Sequence, residues 1–166
     1  PRHKKLIDEV RTAGARVKLI SDGDVAGAIA CATASSGSNI LMGVGGAPEG
    51  VLAAAALKCL GGDIQVKIWP RDPEEKKKII ELGFSKKQME TVFTAEDLCH
   101  GDSTVFSATG VTGGDFLDAV RYHGDTAVTH SVVMRCKTRT VRYITAVHQT
   151  KTKTVPSRSE SREVRI

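Results

Sequence analysis

The chain has 166 residues, 40% hydrophobic and 26% charged, with a formal net charge of +5, the proportions of an ordinary globular domain. Collagen, a disordered segment and a disulfide-stapled miniprotein are excluded. The longest apolar run, residues 51–57, falls far short of the roughly 20 residues that span a bilayer, and no charged-then-apolar leader opens the chain. A soluble, cytoplasmic chain with no membrane partner is expected. It begins at Pro1 inside what reads as polar helix, which points to a piece of a longer polypeptide.

Lys151, Lys153, Arg158, Arg162 and Arg165, set against Glu160 and Glu163, supply +3 of the +5. Most of the excess charge is therefore a tail effect, and aromatics are only 4% of the sequence. Nucleic-acid binding, which relies on cations interleaved with stacking rings, is not expected. Cys31, Cys59, Cys99 and Cys136 form no CxxC pair and no zinc pattern, so they read as reduced thiols.

Residues 3–13 have the helical period, with Leu6, Ile7 and Val10 on one stripe and Gly14 as a stop. Residues 16–20 read as a short strand. Asp22-Gly23-Asp24 then makes a turn ending in an N-cap at Asp24, before a small-residue helix over residues 25–33. After a Ser/Gly loop, residues 39–42 read as a buried strand running into Gly43-Val44-Gly45-Gly46. Pro48 opens a helix that Gly61-Gly62 ends near residue 60. Residues 63–69 have β character, residues 74–82 are helical up to Gly83, and residues 86–93 carry a shorter helical pattern. Residues 103–108 are strand-like and end in a Gly/Thr-rich bend at 110–114. From residue 127, Val128, His130, Val132, Met134 and Cys136 share one parity against Thr129, Ser131, Arg135 and Lys137, and the alternation resumes at Val141, Tyr143 and Val147. That is an antiparallel hairpin. The fold class is α/β: a mixed sheet with flanking helices and a C-terminal hairpin, one domain over residues 1–150 and a basic tail over 151–166.

Three places can carry chemistry. At Gly43 to Gly50 a strand turns sharply into a helix, and the free N–H groups of a first helical turn favour an anion such as phosphate. A dinucleotide fingerprint from Gly43 needs glycine where Pro48 stands, and a P-loop ending at Gly50 needs Lys and Ser/Thr where Val51 and Leu52 stand; both fail. Glu49 in that first turn either complements the helix dipole or shares a divalent cation with a negative ligand. Asp22 and Asp24 lie at another strand end, where α/β sheets bind ligands; they serve as turn and cap residues or as acceptors for sugar hydroxyls. Arg2, with His3, Lys4 and Lys5, is either a solvated face or a phosphate clamp. The five histidines show no metal spacing, and His130, on the apolar parity of its strand, reads as a satisfied core imidazole.

Pro1-Arg2-His3, Ile20-Ser21-Asp22-Gly23-Asp24-Val25-Ala26, Gly43 through Val51 with its Gly-Gly-Ala-Pro-Glu-Gly run, Phe106-Ser107-Ala108-Thr109-Gly110 and the closing Arg139-Thr140-Val141-Arg142 together resemble the class II fructose-1,6-bisphosphatase family. They stand in that family's order and separation, and the match is to its second half. The resemblance implies one lobe of the layered α/β/α/β/α sandwich of metal-dependent, lithium-sensitive phosphatases. It implies Glu49 as a ligand to Mg²⁺ or Mn²⁺ and Gly46 beside the substrate. It also implies Arg2 with Pro1 on the distal phosphate and Asp22, Gly23 and Asp24 on the sugar. The activity implied is hydrolysis of the 1-phosphate of fructose-1,6-bisphosphate, in some members also of sedoheptulose-1,7-bisphosphate, by a homo-oligomer. The family's other metal carboxylates lie upstream of Pro1, and the Lys that precedes the Pro1 position in the family is absent. The competing expectation is a non-catalytic sugar-phosphate or nucleotide binding module.

Overall fold

The ten-residue alternation after residue 126 closes into the hairpin that organises the chain. In a computed structural model that describes residues 3–152, the order is α1 (Lys4–Thr12), α2 (Asp24–Cys31), α3 (Ala47–Leu60), β1 (Val66–Lys67), α4 (Pro73–Glu81), α5 (Lys86–Glu90), β2 (Val92–Phe93), α6 (Ala95–Leu98), β3 (Val105–Thr109), β4 (Arg121–His123), β5 (Thr126–Arg135) and β6 (Thr140–Gln149). Pro1, Arg2 and the expected tail from residue 153 onward lie outside the described residues.

The chain is α/β, as its sequence indicates, but where a mixed sheet was expected both sheets formed by the described residues are antiparallel. β1 pairs with β2. β5 is the spine of the larger sheet, flanked on one side by β3 and β4 and along its whole length on the other by β6. Register decides which face is apolar. Met134 stands opposite Phe106 and Val141, and Val132 opposite Ala108, so these side chains form one layer toward α3, while Val105 and Arg135, one residue out of phase, are exposed.

The core lies between that face and the helices. Ile29, Ala56, Cys59, Phe106, Leu117, Val132 and Met134 form its main cluster, and Ala28, Ala53 and Leu57 a second one between α2 and α3. Alanines at the contact let the two helices approach closely. The largest fully buried side chains are Ile29, Met134, Val132 and Cys59; burying each of the first three stabilises the fold by about 1.5–3 kcal/mol. α3 starts with Pro in its first turn and stops at Gly61, which takes the left-handed conformation at φ 77°, as the two punctuation residues indicate.

Several local expectations are corrected. Residues 16–20 and 39–42, read as strands, form no ladder; a strand is completed by a neighbour's backbone, and no described segment supplies one. Their apolar side chains are accordingly uncovered, with Ile40 71% and Leu19 64% exposed. The β character of residues 63–69 contracts to the two residues of β1. Gly23 at φ 77°, not Asp24, is the N-cap of α2, which makes Asp24 its first helical residue and releases that carboxylate from capping. The Arg139-Thr140-Val141-Arg142 strand begins at Thr140, Arg139 belonging to the turn before it. β4 and α6 were not legible in the alternation.

Candidate functional site

α3 presents its first turn at the end of the Gly43–Gly46 stretch. Gly46 is the N-cap, in extended conformation, with no side chain capping the helix, and Glu49 lies in the first turn. The first N–H groups of a helix have no intrahelical acceptor, and Pro48 contributes none, so Ala47 and Glu49 supply the free donors there.

Each glycine of the turn is a space taken by one particular side chain. A Cβ on Gly43 would stand 3.3 Å from Cε1 of His3, one on Gly45 would stand 2.5 Å from Oδ2 of Asp24, and one on Gly46 would collide with the Glu49 carboxylate, which folds back over it. His3 is also bonded to the turn, its Nε2 accepting from the Val44 N–H at 3.0 Å. That contact fixes the tautomer: Nε2 is the unprotonated nitrogen. The turn therefore gathers an imidazole from the start of α1, a carboxylate from the start of α2 and a carboxylate from the start of α3.

Of the residues expected at the site, Asp24, Gly46 and Glu49 meet at this turn. Gly23 lies immediately before Asp24 and sets the helix that aims it. Asp22 is exposed and, unlike Asp24 and Glu49, is not one of the side chains nearest the space above the turn glycines. Pro1 and Arg2 fall outside the described residues. His3, expected only as part of the Arg2-His3-Lys4-Lys5 cluster, is the addition; the available signal was its place in the Pro1-Arg2-His3 run, at the N-cap of a helix that no side chain caps. His130 is satisfied as expected, its Nδ1 accepting from the Asp118 N–H at 3.1 Å and its ring beside Tyr143, but at 25% exposed it lies at the edge of the sheet's packing and not in the core.

The donor set for a cation is incomplete. Among the described residues no three His, Cys, Asp or Glu side chains gather where they could hold one metal ion, and hard divalent ions take about six oxygen ligands. Two carboxylates arriving from separate helices make part of such a site and do not by themselves fit a bound metal. What the described residues do provide at the turn is glycine backbone, the open N–H groups of a helix start and three polar side chains.

The family of bacterial, glpX-encoded fructose-1,6-bisphosphatases matches residues 1–148, and the chain belongs to that family. It is 41% identical over 158 residues to the class 2 fructose-1,6-bisphosphatase of Haemophilus influenzae, covering 89% of this chain and 47% of that protein. It is equally 41% identical over 161 residues to the D-fructose 1,6-bisphosphatase class 2/sedoheptulose 1,7-bisphosphatase of Microcystis aeruginosa, covering 89% and 46%. A protein of the same name from Trichodesmium erythraeum is 41% identical over 160 residues. The chain thus spans about half the length of the curated relatives it matches. Among the described residues no helix is long and apolar enough to cross a membrane.

Proposed function

We propose that this chain is the C-terminal lobe of a class 2 fructose-1,6-bisphosphatase, acting in the whole enzyme to hydrolyse the 1-phosphate of fructose-1,6-bisphosphate and, as in its bifunctional relatives, of sedoheptulose-1,7-bisphosphate. The observation that carries this reading is the convergence of His3, Asp24 and Glu49 on the Gly43–Gly46 turn, in a chain whose family match runs through all of them. In this reading the free N–H groups of the α3 first turn face phosphoryl oxygens. Asp22, Gly23 and Asp24 accept hydrogen bonds from sugar hydroxyls, and Arg2 with Pro1 contacts the distal phosphate. Gly46 leaves the backbone open beside the substrate.

The resemblance further implies Mg²⁺ or Mn²⁺, for which Glu49 is the donor this chain offers; the remaining ligands belong to the rest of the enzyme. The whole protein is expected to work in the cytoplasm as a homo-oligomer, without nucleic acid or membrane.

Two measurements test the proposal. The 166-residue chain alone is expected to release no phosphate from fructose-1,6-bisphosphate with Mg²⁺ or Mn²⁺, and robust turnover by a clean preparation would show that the missing ligands have been misplaced. In the full-length enzyme, Glu49→Gln is expected to lower kcat on the order of a hundredfold or more, the scale of a lost charge-stabilising contact, with a much smaller change in KM. Normal turnover by that variant would remove Glu49 from the reacting centre.

A binding module remains the second reading because the described residues complete no cation site. Calorimetric titration of the chain with fructose-1,6-bisphosphate and with NAD separates the two. Binding of the dinucleotide in preference to the bisphosphate favours the module.

A further inference from the structure

At the opposite end of α3 from Gly46 the turn between β5 and β6 folds against Gly61 and Gly62. A helix of 14 residues places the two ends about 20 Å apart. At the Gly61 end, between the helix and the β5–β6 turn, lies an open groove of about 380 Å³ whose lining includes Lys58, Asp102, Cys136, Lys137 and Arg139. That volume is in the range of small-ligand sites.

The charges in the groove are unequal in their availability. The Lys58 ammonium is fully engaged: it donates to the Glu96 carboxylate, to the Cys99 carbonyl at 2.7 Å and to the Gly101 carbonyl at 2.9 Å. Lys137, Arg139 and Asp102 make no ion pair with any described residue, although Lys137 and Arg139 lie two residues apart on one turn. Two cations and one carboxylate without an ion-pair partner among the described residues therefore border the same space.

Arg139 is held there against its backbone preference. At φ 48° it is the only non-glycine with positive φ among the described residues, and every other position of that kind carries glycine. Its N–H closes the turn on the Cys136 carbonyl at 3.1 Å. The guanidinium extends over Gly61, where a Cβ would lie 3.2 Å from Nη1. The turn would be relaxed by glycine at 139, so the side chain is the reason to look for a function.

We infer that this groove is a second binding site, one that takes a phosphate monoester carrying a hydroxyl or amino group. The guanidinium fork and the Lys137 ammonium match phosphate oxygens, the fork in two parallel hydrogen bonds. Asp102 accepts a hydrogen bond from the donor group of the same ligand and disfavours a bare, multiply charged anion. Two sources of the phosphate chemistry are open, inorganic phosphate and an organic monoester, and Asp102 selects the second. A purely structural alternative exists, in which Arg139 only complements the negative C-terminal end of α3.

The test is a titration of the 166-residue chain with inorganic phosphate and, separately, with glycerol 1-phosphate, followed by backbone amide NMR shifts. Saturable shifts at residues 136–139 and Gly61, with glycerol 1-phosphate bound more tightly, are expected. Arg139→Gly is expected to weaken binding about tenfold or more, the scale of a lost charge-assisted contact, while the melting temperature holds or rises. Asp102→Asn is expected to tighten inorganic phosphate and erase the preference for the ester. Absence of saturable shifts, or unchanged affinity in Arg139→Gly, overturns the site; a lowered melting temperature with unchanged binding assigns Arg139 to the helix end alone. Equal affinity of the two probes overturns the part given to Asp102. Glu49→Gln is expected to leave these titrations unchanged, so failure here and failure of the reading at the Gly43–Gly46 turn are separable.

Discussion

One hydrogen bond, from the Val44 N–H to His3, joins stretches 41 residues apart and holds the first turn of α3 in relation to the start of α1. His3→Ala leaves that N–H without its protein acceptor, which costs about 1 kcal/mol of stability. In the full-length enzyme it is expected to lower kcat/KM, with His3→Gln, whose amide oxygen can accept, recovering part of the loss. An unchanged kcat/KM in His3→Ala would mean that the turn keeps its shape unaided. Gly46→Ala addresses the same turn from the other side: its methyl collides with the far end of the Glu49 side chain, which can swing away at little cost in stability. Thermal unfolding near wild type with a large fall in kcat is expected, and intact turnover would show that the folded-back Glu49 position is not the working one. At this scale the sequence makes the turn legible, because clustered glycines, Pro48 and Glu49 have local meanings. Which side chain each glycine admits was not legible, since His3 and Asp24 arrive through packing that no local pattern encodes.

Elements with local punctuation are the ones that could be read. α4 follows Asp72, which accepts the Glu75 N–H, with Pro in its first turn; α5 follows Ser85 in a capping box with Gln88; α3 runs from its Pro to Gly61. Residues 16–20 and 39–42 show the converse: an apolar run states a preference for strand, and a ladder partner decides the outcome. α6, only four residues long, went unread because its stability is tertiary as much as local. Thr94 and Asp97 cap each other, while Glu96 accepts from the Gly101 N–H at 3.0 Å and from Lys58. The Gly101 N–H, and then Lys58, hold the Glu96 carboxyl below its ordinary value; the Thr94 N–H and hydroxyl do the same for Asp97, and Arg71 for Glu75. A carboxylate whose folded pKa is depressed contributes stability that is complete above its unfolded value, about 4.3 for Glu, and is lost as pH falls through the folded value. The melting temperature is therefore expected to decline on acidification from that point downward. Glu96→Gln is expected to flatten the decline, and an identical pH profile in the variant would show that the Lys58 and Gly101 contacts do not persist in solution.

Over the whole molecule, the two unladdered segments and the incomplete donor set point the same way. Ile20 and Leu41 both lie against Gly27 of α2, where a Cβ would stand 3.0 Å from one and 3.5 Å from the other, so residues 16–20 and 39–42 meet at that helix. Their alternate side chains, Leu19, Ile40 and Met42, face away and are 64%, 71% and 53% exposed. Apolar residues on both parities are the pattern of strands covered on both faces, and here even the residues turned toward α2, Ile20 and Leu41, stay 43% and 42% exposed. The chain also supplies about half the length of its relatives, and its carboxylates at the Gly43–Gly46 turn do not complete a cation site. On the proposed function, the rest of the enzyme is expected to lie over these segments and to add ligands to the turn; covering each such apolar side chain would contribute about 1.5–3 kcal/mol to the association. The expectation is specific. Because Leu19 and Ile40 are exposed in this chain, Leu19→Ser with Ile40→Ser should change its own unfolding free energy by no more than about 0.5 kcal/mol. The same pair should abolish co-purification with the complementary half of the Haemophilus influenzae relative, co-expressed as a separate polypeptide, and any metal-dependent phosphate release the two halves recover together. A large loss of stability in the isolated chain would mean that the face is already covered, and undiminished co-purification would place the contact elsewhere.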